Sequence, residues 1–200
     1  MKTIGLTGPS GAGKTTVLAV LEELGCLAID CDRVYHRLLE ESPPLVEELT
    51  DRFGRSILDS QGNLSRRALA QVVFGDQEAL LALNRITHRR VRREVEDRLE
   101  LARRSGRPGA VIDAVALVES GLDQLCDVTA AVLAPREVRL RRIMARDGLT
   151  EAQAAARINA QPPDSFYRQS CSILIENDGL ETEPALRARV SRLFRPILEL

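Results

Sequence analysis

Gly8-Pro9-Ser10-Gly11-Ala12-Gly13-Lys14-Thr15 is the stretch on which the fold turns. It fits the pattern Gly-x-x-x-x-Gly-Lys-Ser/Thr. Its flanks are what that pattern needs: an apolar run, Lys2–Thr7, before it, and Val17, Leu18, Val20, Leu21 and Leu24 at helical spacing after it. Glycines at 8, 11 and 13 let the backbone bend so that successive N–H groups converge on phosphate oxygens, while the following helix adds the positive end of its dipole. Gly8, Gly11, Ala12, Gly13, Thr15 and Thr16 are therefore the expected lining of a nucleoside triphosphate cradle. Lys14 would set a compact cation between the β- and γ-phosphates of ATP, and the Thr15 hydroxyl would meet the Mg²⁺ ion that bridges the same oxygens. A flexible glycine turn with an exposed lysine is the plain alternative.

Outward from this loop, short β-type runs alternate with helical stretches, which predicts crossover units and a mainly parallel sheet. Gly25 stops the first helix, and Cys26–Ile29 reads as a second strand ending at Asp30-Cys31-Asp32. A helix from Arg33 to Glu40 is broken at Ser42-Pro43-Pro44. From Leu45 to Arg104 no strand pattern appears, only apolar residues at helical spacing among charges, interrupted at Gly54, Ser60–Asn63 and Gly75-Asp76. Strands return at Ala110–Asp113, Val128–Leu133 and Ser172–Glu176. Pro135 opens a helix that Gly148 closes, Thr150 with Gln153 has capping-box spacing for a helix through Ala160, and Pro162-Pro163 ends that one. A terminal helix runs from about Glu183 to Leu198. The predicted architecture is an α/β phosphate-loop core (residues 1–32, 101–139 and 169–200), a helical substrate-binding domain (33–100) and a helical lid (140–168).

The chain's 200 residues are 44% hydrophobic and 28% charged, with a net charge of −1, enough apolar material for a core and no bulk attraction to nucleic acid or membrane. With 3% aromatics and no Trp, a stacking platform for single strands is not expected. Of 28 basic residues only Lys2 and Lys14 are lysines, so neither is placed to supply the Asn-Lys-x-Asp segment with which GTPases read guanine. Cys26, Cys31, Cys126 and Cys171 are scattered, without metal-ligand or disulfide spacing. Together with the lack of a signal-like or membrane-spanning run, this predicts a cytoplasmic protein with no obligate protein partner.

In an open parallel sheet the ligand crevice lies beyond the carboxyl ends of the strands. Asp30 and Asp32 follow the second strand, and a carboxylate there can accept the proton of an attacking hydroxyl; the alternative is that Asp32 only caps the next helix. Asp113 ends the third strand and is a candidate for holding Mg²⁺, directly or through water. Arg142 and Arg146 are one helical turn apart and can face one groove. Arg89, Arg90, Arg92 and Arg93 form a basic run that is either a solvated face or an anion attractor.

These residues resemble the dephospho-coenzyme A kinases, phosphate-loop small-molecule kinases of the adenylate-kinase-like branch. The resemblance is carried by Ile4-Gly5-Leu6-Thr7-Gly8 through Lys14-Thr15-Thr16, Ile29-Asp30-Cys31-Asp32-Arg33-Val34, Phe53-Gly54 and Gly62-Asn63-Leu64-Ser65-Arg66. It continues through Leu69, Val73-Phe74, Leu83-Asn84-Arg85-Ile86-Thr87-His88, Arg142, Arg146-Asp147-Gly148, Arg157-Ile158, Gln161 and Ile175-Glu176-Asn177 with Gly179. It implies transfer of the ATP γ-phosphoryl group to the ribose 3′-hydroxyl of dephospho-coenzyme A. Asp32 would then be the general base with Lys14 at the transferring group, Arg142 and Arg146 would contact ATP, and Arg66, His88 and Glu119 would join Asp32 at the acceptor; His88 is expected at a helix start, where a structural role is the alternative. Three segments depart from the family pattern: His88-Arg89 replaces His-Pro, Asp113–Glu119 lacks the family's proline, and Cys171-Ser172 stands where the family has Ala-Asp. A kinase for a nucleoside, sugar or acid acceptor shares the loop and Asp32, and a nucleotide-binding regulator without transfer activity is the other alternative.

Overall fold

The computed structural model describes residues 1–200. β1 (Lys2–Thr7) runs into the phosphate loop and α1 (Lys14–Glu23) leaves it. β2 (Leu27–Asp30) is followed by α2 (Cys31–Glu41), α3 (Pro43–Phe53), a 3₁₀ turn at Arg55–Ile57, α4 (Arg66–Val73) and the long α5 (Gln77–Arg104). The chain then alternates through β3 (Gly109–Asp113), β4 (Val128–Leu133), α6 (Arg136–Asp147), α7 (Glu151–Asn159), α8 (Asp164–Ser170), β5 (Ile173–Glu176) and α9 (Glu183–Phe194).

The strands form one sheet in the order β2-β3-β1-β4-β5, with β1 parallel to both β3 and β4, and β4 parallel to β5. The α/β parallel core predicted from the sequence is thus the architecture found. β1 is central, and Thr3 through Thr7 are buried, which is why a strand covered on both faces reads as a near-continuous apolar run. On one face Ile4, Leu6, Val111, Ala130 and Val132 pack with Val17, Val20 and Leu21 of α1 and with Leu186, Val190 and Phe194 of α9. Each of the Val, Leu, Ile and Phe side chains, fully buried, contributes about 1.5–3 kcal/mol. On the other face Ala131 and Leu133 of β4 meet Tyr167 of α8 and Cys171.

Two compact units make up the chain, Met1–Ile29 with Leu99–Leu200, and Asp30–Arg98. The first holds the phosphate loop and α6–α9. The second closes α2, α3, α4 and α5 as far as Arg98 around Leu39, Leu45, Leu49, Ile57, Leu69 and Leu83. Within it Arg37 pairs with Glu94, and Glu48 pairs with Arg89 and Arg90, tying α2 and α3 to α5.

Three local expectations are corrected. Ser42-Pro43-Pro44 does end α2, yet the two prolines also open α3 at its first positions, where a missing N–H leaves no bond unmade. Pro162-Pro163 ends α7 and is followed at once by α8, seven residues whose length is too short for helical periodicity to register in the sequence. His88, expected near a helix start, is in the interior of α5. The Thr150–Gln153 capping box is present with both of its hydrogen bonds.

Candidate active site

The loop between β1 and α1 has the backbone its glycines permit. Gly8 has φ +136°, and a Cβ there would lie 2.2 Å from the Val132 carbonyl oxygen; Gly13, with φ +102°, caps α1, and a Cβ would lie 2.2 Å from Asn177 Nδ2. Any side chain at either position is excluded by conformation and by space. Lys14 Nζ donates to the Gly8 carbonyl at 2.9 Å, so the ammonium group folds back over its own loop. Thr15 is exposed as the second residue of α1, Thr16 N donates to Gly13 O at 3.2 Å, and Ala12 is buried.

The carbonyl side of the loop is held by two side chains. Arg142 Nη1 donates to Gly11 O at 3.2 Å and to Ala12 O at 3.3 Å, and its Nη2 donates to Asn177 Oδ1 at 3.1 Å. Asn177 Nδ2 donates to Ala12 O at 2.8 Å, and its own backbone N–H is anchored on Leu133 O at 2.8 Å. The structure therefore brings Arg142 to the phosphate loop, on its carbonyl side. Arg146 is bound instead by the neighbouring carboxylate, donating to both oxygens of Asp147 at 2.7 and 2.9 Å, and Arg157 pairs with Asp147 too. These guanidinium groups, Arg146 foremost, hold the Asp147 carboxyl below the usual carboxylate range. Gln161 Oε1 accepts the Ser10 N–H at 2.9 Å, which links the α7–α8 segment to the loop as well. Asn177 was missed as a functional residue; its place at the carboxyl end of the last strand is the signal that pointed to it.

Among the acids, Asp30 is the N-cap of α2, its Oδ1 accepting from Arg33 N at 2.9 Å. Capping thus falls to Asp30, and Asp32 stands exposed in the first helical turn, where the helix dipole favours its charge. In the same unit Arg66 pairs with Glu40 at 2.5 Å, and His88 is half-buried. The basic run of α5 is largely matched by that unit's own acids, Arg89 and Arg90 by Glu48, Arg92 by Glu96. In the first unit Asp113 is half-buried at the end of β3, in register with Leu6 of β1, and Glu119 is exposed beyond it. Asp113 and the phosphate loop therefore lie at the carboxyl ends of adjacent parallel strands. No group of three or more His, Cys, Asp or Glu side chains is arranged to hold a metal ion. No helix is long and apolar enough to cross a membrane.

Comparison with known proteins agrees in family and fold. The family model described as dephospho-CoA kinase (CoaE) matches residues 2–183. A dephospho-CoA kinase of Moorella thermoacetica is 40% identical, with all of this chain and 95% of that one aligned, and one of Corynebacterium efficiens is 38% identical over 99% and 98%. Among solved structures, a protein from Thermus thermophilus superposes with a TM-score of 0.78 at 35% identity, over 96% of each chain. The shikimate kinase of Acinetobacter baumannii, at 19% identity and a TM-score of 0.53 over 100% and 94% of the chains, shares the fold.

Proposed function

The chain belongs to the dephospho-CoA kinase family, and from that premise we propose that it transfers the γ-phosphoryl group of ATP to the 3′-hydroxyl of dephospho-CoA. The observation that carries the reading is the phosphate loop itself, with Lys14 folded over it, inside a family match that spans both compact units.

In this reaction a bond forms between the acceptor oxygen and the γ-phosphorus, the bond to the β–γ bridging oxygen breaks, and the hydroxyl proton passes to a carboxylate. Asp32 is assigned that proton, since Asp30 caps the helix and leaves Asp32 clear of it. Lys14 leaves the Gly8 carbonyl to meet the β- and γ-phosphate oxygens, and the loop N–H groups bind the same charge without reorganising. Arg142 acts by holding the loop's carbonyl side, and Arg146 would have to exchange Asp147 for the nucleotide as the lid segment closes. Glu119, Arg66 and His88 are assigned to the acceptor.

Thr15 and Asp113 suit Mg²⁺, a hard cation that takes one or two protein oxygens when it arrives with phosphates. When bound, that ion neutralises charge on the transferring group.

The deciding experiment measures ADP release from ATP and Mg²⁺ with dephospho-CoA, beside a panel of nucleosides, sugars and shikimate-like acids, and locates the new phosphate by NMR. Release driven by dephospho-CoA alone, with phosphate at the 3′ position, is expected. Release driven by another acceptor points to a different small-molecule kinase, and ATP binding without acceptor-dependent release points to a regulator.

A further inference from the structure

Beside the phosphate loop the first unit buries a guanidinium that lacks a hydrogen-bonded partner. Arg139 is 7% exposed; its Nε and Nη1 are buried with no acceptor, and its Nη2 is 3.9 Å from Asp164 Oδ1, within ion-pair range but beyond a hydrogen bond. In the same unit, within electrostatic reach of Arg139, the Tyr167 hydroxyl is also buried and unbonded. Burial pushes the Tyr167 phenol up to about 12, with Glu119 adding to the rise and Arg139 opposing it, which places one cation among the carboxylates of this region. Buried donors without acceptors are rare in folded proteins and call for something that completes them.

The missing partners are on one element. Asp164 and Tyr167 both belong to α8, which begins three residues after Gln161, the residue bound to Ser10 of the loop. Arg139 lies on the first turns of α6 with its backbone against the loop, so that a Cβ at Gly11 would come within 2.8 Å of the Arg139 carbonyl oxygen and 3.0 Å of its Cα. The backbone of Arg139 thus packs closely against the phosphate loop, and its side chain reaches toward Asp164 of α8.

We propose that Arg139 is a positioning residue of the phosphoryl-transfer site, which draws α8 onto the phosphate loop when nucleotide is bound and so keeps water from the γ-phosphate. An approach of about 1 Å brings Nη2 to hydrogen-bond distance from Asp164, and the rigid fork of the guanidinium then turns a second N–H to the Tyr167 oxygen. The inference rests on the kinase reading, in which water competes with the acceptor hydroxyl.

The test uses the full chain with ATP and Mg²⁺, recording ADP formed with and without dephospho-CoA, alongside circular dichroism and thermal melting. For Arg139→Gln the expected result is a KM for ATP within about threefold of wild type, a kcat for transfer lowered about tenfold, and an acceptor-independent share of ADP raised at least about threefold. Arg139→Lys recovers part of kcat, because the ammonium still reaches Asp164. Asp164→Asn, a change at an exposed carboxylate that leaves the core alone, raises the acceptor-independent share as well. Wild-type kcat and wild-type hydrolysis in Arg139→Gln and Asp164→Asn overturn the proposal. So does a lowered melting temperature with unchanged kcat per folded molecule, the signature of a purely structural arginine. A wild-type chain without acceptor-dependent ADP overturns the kinase reading first, and the tie falls with it.

Discussion

Asn177 donates its side-chain amide to the carbonyl of Ala12 at 2.8 Å, so that a residue at the end of the last strand holds the phosphate loop from the side opposite its N–H groups. The loop's glycines supply conformational freedom; Asn177 and Arg142 remove it again. A loop held in this way presents its N–H groups to phosphate with little further ordering on binding.

Removing that hold is expected to weaken nucleotide binding more than chemistry. Asn177→Ala loses the bonds to Ala12 and Arg142, each worth about 0.5–1.5 kcal/mol and more for the one to the guanidinium. A rise of roughly tenfold in the KM for ATP, with a smaller change in kcat, follows from about 1.4 kcal/mol of lost ordering. Titration calorimetry with ATP checks it, and an unchanged affinity would show that the loop keeps its shape unaided.

Asp30 and Asp32 are two positions apart and are expected to fail differently. Asp30→Ala removes the cap of α2 and lowers stability by about 1 kcal/mol. Asp32→Asn leaves the cap in place and removes the proposed proton acceptor, so kcat should fall by roughly two orders of magnitude or more while the melting temperature stays put. Lys14→Ala should lower kcat strongly too, with the circular dichroism spectrum unchanged. Wild-type turnover in Asp32→Asn would take the base assignment away from that residue.

How far the sequence alone led depended on whether a residue's work was local. The phosphate loop, its flanking strand and helix, the capping box and the turns at Gly54 and Gly75 are written in neighbouring residues, and the structure has them where they were expected. Asn177 and Ala12 are 165 positions apart, and nothing in the local pattern of either reveals their bond. Arg139 reads no differently from Arg141 in so arginine-rich a helix, because composition does not say which guanidinium the fold will bury. The same limit applied to Asp30 and Asp32, where capping geometry, invisible in spacing, separates the two roles.

The thiols should be quiet in the folded chain. Burial pushes Cys126 up to about 12 and Cys26 up to about 11, and it raises Cys171 as well, so all three stay protonated near neutral pH. Iodoacetamide at pH 8 is expected to leave these three unmodified over an hour in the native protein and to label all four cysteines in denaturant, as read by mass spectrometry. Rapid native labelling at Cys126 would mean that the start of β4 opens far more readily than its packing implies.

Acid should loosen the α3–α5 junction of the second unit before it reaches the buried core. Glu48 is held below the usual carboxylate range, first by the hydrogen bond from Arg90 and then by Arg89. The unfolded chain, with an ordinary glutamate near about 4.3, binds that proton more readily than the folded one. The Glu48 contribution is therefore complete above the unfolded value and is lost as pH falls through the lower folded value. Because the pair is partly exposed, its effect is small and salt-sensitive. In melts from pH 7 down to pH 3 the gap between wild type and Glu48→Gln should narrow toward the acid end, and it should shrink at all pH values in 1 M salt. A gap that stays constant with pH would assign the cost of Glu48→Gln to packing between α3 and α5, with the ion pair contributing nothing.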